Sequence, residues 1–136
     1  YATGDYVGQT TPPNSFASAV RTPGGKGVLQ SVVITDQQAT ANVNMELWLF
    51  SATFTAPTDS AAWAISDADL ALCVGVIQLP AANWYANSNG SAFTLSNIAL
   101  PFTCAVTTLF YALVARGTVP DHSTGQFIVT LGVLSD

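Results

Sequence analysis

The segment Val43-Asn44-Met45-Glu46-Leu47-Trp48-Leu49-Phe50 constrains the fold most, because it alternates with a period of two over its whole length. Successive side chains of a strand point to opposite faces, so Val43, Met45, Leu47 and Leu49 share one face and Asn44, Glu46, Trp48 and Phe50 the other. The second face changes character along the strand, from polar at Asn44 and Glu46 to aromatic at Trp48 and Phe50. This strand is therefore expected to be half-exposed in its first half and covered on both sides in its second.

The same period recurs along the chain, rich in β-branched and aromatic residues and broken by Gly, Pro or Asn roughly every ten residues. Residues 28–35 follow a tight Pro23-Gly24-Gly25 turn and carry Val32-Val33-Ile34 at their centre, the content of a sheet interior. Residues 107–116 and 126–134 read as a further pair of central strands, joined across the turn-rich Gly117-Thr118-Val119-Pro120-Asp121. Weaker strand candidates are 15–21, 74–79, 92–97 and a short piece near Tyr6. Residues 57–72 resist a strand reading: Thr58 or Asp59 can cap one helical turn, and Asp67-Ala68-Asp69-Leu70 can begin another. About eight strands with one short helical insertion predict an all-β fold, an antiparallel, jelly-roll-like β-sandwich. Neither an internal repeat nor a linker-like change of composition divides the chain. The expected organisation is an extended N-terminal arm, residues 1–13, followed by a single β-sandwich domain, residues 14–136. Thr10-Thr11-Pro12-Pro13 favours extended backbone, and Tyr1 and Tyr6 need somewhere to bury, so the arm is expected to reach a neighbouring subunit.

Composition bears on what such a sandwich does. Charged residues make up 8% of the 136 positions, against about 25% in an ordinary soluble domain, while the apolar share of 49% is normal. The exterior must be clad in Thr, Ser, Asn, Gln and Ala, short side chains that lose little entropy on burial. Interface cores are depleted of charge, so much of this exterior is expected to lie in contact with partners. The net charge of −5 sets eight acids against Arg21, Lys26 and Arg116, which do not cluster, so nucleic acid is not an expected partner. No apolar run approaches the roughly 18 residues of a membrane span, so no membrane partner is expected either. Cys73 and Cys104 both sit in apolar settings and fit either buried thiols or one disulfide.

Catalysis needs acids, bases or nucleophiles converging in a cleft, and this chain offers few. The one imidazole, His122, sits in the polar loop Pro120-Asp121-His122-Ser123 and is expected to face solvent or a neighbouring subunit. Asp59, Asp67 and Asp69 can in principle supply oxygen ligands to a calcium ion, but their spacing matches no EF-hand loop and fits turn and helix-capping carboxylates. No metal or cofactor is expected. Glu46 has no partner acid at a readable spacing, which gives a two-carboxylate glycosidase little support. Trp48, Trp63 and Trp84, with Tyr85 beside the last, are the candidates for a sugar-stacking platform. Trp48 fits the core better. Trp84 and Tyr85 read as loop residues, suited to a protein partner ahead of a sugar. Asn89-Gly90-Ser91 is formally a glycosylation acceptor and equally a hairpin turn.

Several stretches together resemble small virion proteins of tailed bacteriophages. They are the opening Tyr1-Ala2-Thr3-Gly4-Asp5-Tyr6-Val7-Gly8, the strand Gln30-Ser31-Val32-Val33-Ile34-Thr35-Asp36, and Met45-Glu46-Leu47-Trp48-Leu49-Phe50 leading to Ala64-Ile65-Ser66-Asp67-Ala68-Asp69-Leu70. The ending, Leu113-Val114-Ala115-Arg116-Gly117 and then Val129-Thr130-Leu131-Gly132-Val133-Leu134, completes them. The resemblance implies a head decoration, or cement, protein: a non-enzymatic homotrimer on the capsid exterior that clamps neighbouring major capsid subunits together. The interface residues expected on this reading are Tyr1, Tyr6, Pro12, Pro13, Trp84 and Tyr85. The alternative is a carbohydrate- or receptor-binding sandwich, of a tail fibre or an extracellular protein, that uses Trp84 and Tyr85.

Overall fold

The computed structural model describes residues 1–8, 13–37, 43–118 and 127–136. Among these residues nine strands form: β1 (Tyr6–Val7), β2 (Ser15–Phe16), β3 (Lys26–Asp36), β4 (Met45–Phe50), β5 (Cys73–Leu79), β6 (Trp84–Ala86), β7 (Ser91–Thr103), β8 (Leu109–Ala115) and β9 (Phe127–Ser135). One helical turn, α1 (Asp67–Leu70), precedes β5, and a 3₁₀ turn, Ala81–Asn83, precedes β6. The first sheet runs β1-β8-β4-β5, with β2 also on β8, and the second β6-β7-β3-β9. Every pairing is antiparallel. The fold is the all-β sandwich that the alternating strands require.

The main core lies between the sheets, where Leu47, Leu49 and Leu113 of the first meet Val32, Ile34 and Phe93 of the second. A second core lies on the outer face of the first sheet. There Phe50 and Ala112 are covered by Phe54 and Ala56 of the chain that crosses from β4 to α1, with Trp48, Trp63 and Ile65 packed around them. Phe50 stacks on Phe54 with ring centroids 4.2 Å apart. This crossing segment explains β4 residue by residue: Glu46 stays half-exposed on the outer face, while Phe50, further along that face, is fully buried.

The helical insertion is shorter than 57–72, and its cap is neither Thr58 nor Asp59. Ser66 caps α1, its hydroxyl accepting from the Asp69 amide at 3.1 Å and donating to the Asp69 carboxylate at 2.9 Å. The crossing chain before it is held as extended backbone instead. Trp63 donates its amide to Gly4 O at 2.8 Å, and Tyr6 donates to Ala61 O at 2.8 Å.

That contact corrects the expected arm, at least over its first eight residues. Tyr6 and Val7 pair with Val114 and Leu113 of β8, and the Gly4 amide donates to Ala115 O at 2.7 Å. The segment is thus inserted between β8 and the crossing chain, because Tyr6 and Val7 find their burial within the domain, one in each core. Residues 9–12 lie outside the described residues.

The expected pair 107–116 and 126–134 also needs correction. β8 is central in the first sheet, between β4 and β1, whereas β9 is at the edge of the second. Alternating apolar residues report one face on a core, which an edge strand satisfies as well as a central one. Of the stretch 15–21 only Ser15–Phe16 is strand, and the chain then turns through Ser18 at φ 58° to bury Val20. The stretch 92–97 extends much further, to Thr103, by way of a bulge. Ser96 faces Ser31 and Leu100 faces Leu29, so Asn97, Ile98 and Ala99 stand opposite Gln30 alone, with Asn97 and Ala99 at φ 60° and 53°.

Candidate interaction surface

Strand alternation separates the two aromatic residues expected to act together. Trp84 begins β6 rather than lying in a loop; it packs on Phe93 at 5.4 Å and donates its indole N–H to Val43 O at 3.1 Å. It is 7% exposed, whereas Tyr85, on the opposite face, is 70% exposed. Trp48 and Trp63 pack on each other at 5.6 Å within the second core. The three tryptophans therefore build no exposed stacking platform.

Tyr1 and Tyr6 are likewise engaged within the chain. The Tyr1 hydroxyl donates to Asp59 Oδ2 at 3.1 Å, and Asp59 Oδ1 accepts from the Gly8 amide at 3.1 Å. Tyr6 is fully buried and stacks on Trp63 at 5.7 Å. Burial, with Tyr111 and Asp59 nearby, pushes its hydroxyl well above the ordinary tyrosine range. Pro13 is buried; Pro12 and His122 lie outside the described residues.

The acids among the described residues do not converge. Asp59 orients the N-terminal segment, while Asp67 and Asp69 form the first turn of α1. Among the described residues no three His, Cys, Asp or Glu side chains come together to hold a metal ion. Glu46 accepts from Arg116 Nη2 at 2.8 Å and from Trp48 Nε1 at 2.9 Å, on the wall of a cleft of about 310 Å³ shared with Gln78 and Pro80. The Arg116 hydrogen bond first, and the Trp48 indole after it, hold the Glu46 carboxyl below its ordinary value of 4.5 against the opposing effect of burial. A depressed carboxylate contributes stability that is fully present above the ordinary value and is lost as pH falls through the depressed one. Because the Arg116 side chain is 37% exposed, solvent screening leaves the pair worth about 0.5 kcal/mol. Glu46→Gln should cost about that much at neutral pH and nothing in acid below the depressed value, as read from urea midpoints at the two pH values.

Cys73 and Cys104 are unpaired thiols. Cys104 belongs to the main core, where burial raises its pKa, and Cys73 packs against the second. Both border an open cleft of about 840 Å³ at one end of the sandwich, walled by Val28, Leu72, Val74 and Pro101. Among the described residues Lys26 is the one ionic group in that wall, and they offer the cleft no acid–base pair.

The broadest distinctive surface is the outer face of the second sheet. Trp84, Phe93, Ile34 and Val129 stand in register and face the core. Their strand neighbours must face away. Five outward rows result: Tyr85, Ala92, Thr35 and Ile128; Thr94, Val33 and Thr130; Ser96, Ser31 and Gly132; Pro101, Val28 and Leu134; and, at the end of the face, Thr103 and Lys26. Lys26, at the end of the face, is the one charged residue in these rows, and the other four rows carry none. Unlike the first sheet, this one is left open outside by the described residues, with Ile128 at 47% and Leu134 at 63% exposure. The sequence signal for it is the lack of any Asp, Glu, Lys or Arg in β6, β7 and β9. Among the described residues no helix is long and apolar enough to cross a membrane. Comparison with protein-family profiles, with curated proteins and with solved structures returns no match.

Proposed function

We propose that this chain is a non-enzymatic structural subunit of a bacteriophage virion, which decorates the capsid exterior and stabilises the shell by bridging neighbouring major capsid subunits. The observation that carries this reading is the outer face of the second sheet, uncharged over four of its five rows and left uncovered by the described residues. Short Thr, Ser, Ala and Val side chains on a pre-formed sheet surrender little conformational entropy on contact. Burying their apolar parts returns roughly 25 cal/mol per Å², with no buried charge to offset it. The dispersed acids and the open, acid-free cleft fit a protein without catalytic chemistry. The resemblance of the strand segments to small virion proteins supplies the setting, and the partners in this reading are further copies of the chain and the major capsid protein.

The test is co-sedimentation with capsid shells that lack the protein. The wild type should pellet with shells, and the doubly substituted Thr35→Lys, Thr94→Lys protein, changed only on the outer face, should remain in solution. Wild type that stays in the supernatant, or a double variant that pellets equally well, would refute the reading. A sugar-binding module is the weaker alternative, because with Trp84 in the core Tyr85 stands as a single exposed ring.

A further inference from the structure

We infer that β9 is a self-pairing edge: two copies of the chain join antiparallel along it, about a twofold axis at Leu131, into one continuous eight-stranded sheet. The inference rests on the reading of the chain as a self-associating structural subunit and names the contact that reading leaves open.

An edge strand displays a row of backbone donors and acceptors, and soluble proteins protect such edges with Lys, Pro, inward-pointing charge or brevity. β9 has none of these. Its nine residues, Phe127–Ser135, include no charged residue and no proline, and the irregularity in its register with β3 lies on β3, at Gln30. Among the described residues β9 pairs with β3 alone. No described strand pairs with the outer edge of β9 from Ile128 to Ser135, and such an edge calls for an extended backbone, which narrows the occupant far more than an apolar face does.

The side chains then select a second copy. Antiparallel pairing centred on Leu131 sets Ile128 opposite the partner's Leu134, and Leu134 opposite the partner's Ile128. These are the two large apolar side chains of β9 that the single chain leaves most exposed, at 47% and 63%, and both lie on the outer face. The same register sets Val129 against the partner's Val133 and Leu131 against its own copy. In the single chain all three are half-buried, packed against the margin of the main core. Thr130 falls opposite the partner's Gly132, which leaves space beside the threonine. A slip by one residue would separate Ile128 from Leu134 and move the axis off Leu131, so the exposed pair fixes the register. The joined sheets would also double the nearly uncharged outer face into one surface, as an isologous contact does.

Light scattering over a range of concentrations tests this. The wild type should approach twice its 14.1 kDa mass as concentration rises. Ile128→Lys should shift the midpoint of association at least tenfold upward, and Ile128→Lys with Leu134→Lys should remain monomeric, since like charges then face each other across the pair. Ile128→Lys with Leu134→Glu puts opposite charges at both contacts and should recover dimer. Circular dichroism of each variant checks the fold, and these exposed sites should leave it unchanged. A wild type that stays monomeric, a trimer, or a dimer indifferent to the charge series would overturn the proposal. Pelleting with shells, scored separately, judges the virion role whatever the mass turns out to be.

Discussion

Replacing Tyr6 with Ala is expected to cost about 3–5 kcal/mol of folding stability, the range for emptying a large aromatic site. A domain of this size is stable by about 5–15 kcal/mol, so the variant should unfold at a much lower urea concentration or fail to fold at physiological temperature. Three features converge on this residue. Its side chain is fully buried and stacked on Trp63, so truncation opens a hole beneath the second core. Its backbone is bonded on both sides, to β8 and to the crossing chain at Ala61. Trp63 in turn packs on Trp48, Phe50 and Phe54, so the loss would spread through one connected cluster. Tyr6→Phe keeps the ring and should cost only about 1 kcal/mol, the net worth of a hydroxyl's interactions. Deleting residues 1–8 should be at least as damaging as Tyr6→Ala. Near-identical urea midpoints for wild type and Tyr6→Ala would mean that this segment does not belong to the sheet.

Where the sequence was legible, one local rule sufficed. The alternation of residues 43–50 placed Leu47 and Leu49 inward and announced, through Trp48 and Phe50, that something covers the far end of the outer face. Residues 28–35 and 74–79 became β3 and β5 for the same reason. What alternation does not carry is partnership. β8 and β9 look alike as apolar runs of Phe, Leu and Val, and only the three-dimensional path of the chain makes one central and the other an edge. Two-residue β1 is too short for any period to register, so Tyr6 read as an arm residue in search of a neighbour. The nearly uncharged outer face was half visible: missing charge shows in composition, but the rows follow from register, which depends on strands far apart in sequence.

Trp84 and Tyr85 provide the sharpest test of register, because adjacent residues are expected to behave in opposite ways. Trp84→Ala should cost about 3–5 kcal/mol. The indole fills the main core beside Phe93, and its loss also leaves Val43 O without the N–H that reaches it at 3.1 Å. Tyr85→Ala should stay within about 0.5 kcal/mol of wild type, as exposed substitutions generally do. The contrast should reverse in binding. Tyr85 heads the outward row that continues through Ala92 and Thr35 to Ile128, so its truncation should weaken pelleting with shells while leaving the urea midpoint in place. Aromatic anchors buried in a contact typically carry more than 1 kcal/mol each, enough for a loss of about fivefold or more in shell affinity. Equal stability costs for the two variants would mean that β6 does not present alternate faces to core and solvent. An unchanged shell affinity for Tyr85→Ala would move the contact away from β6 and onto the strands nearer β9.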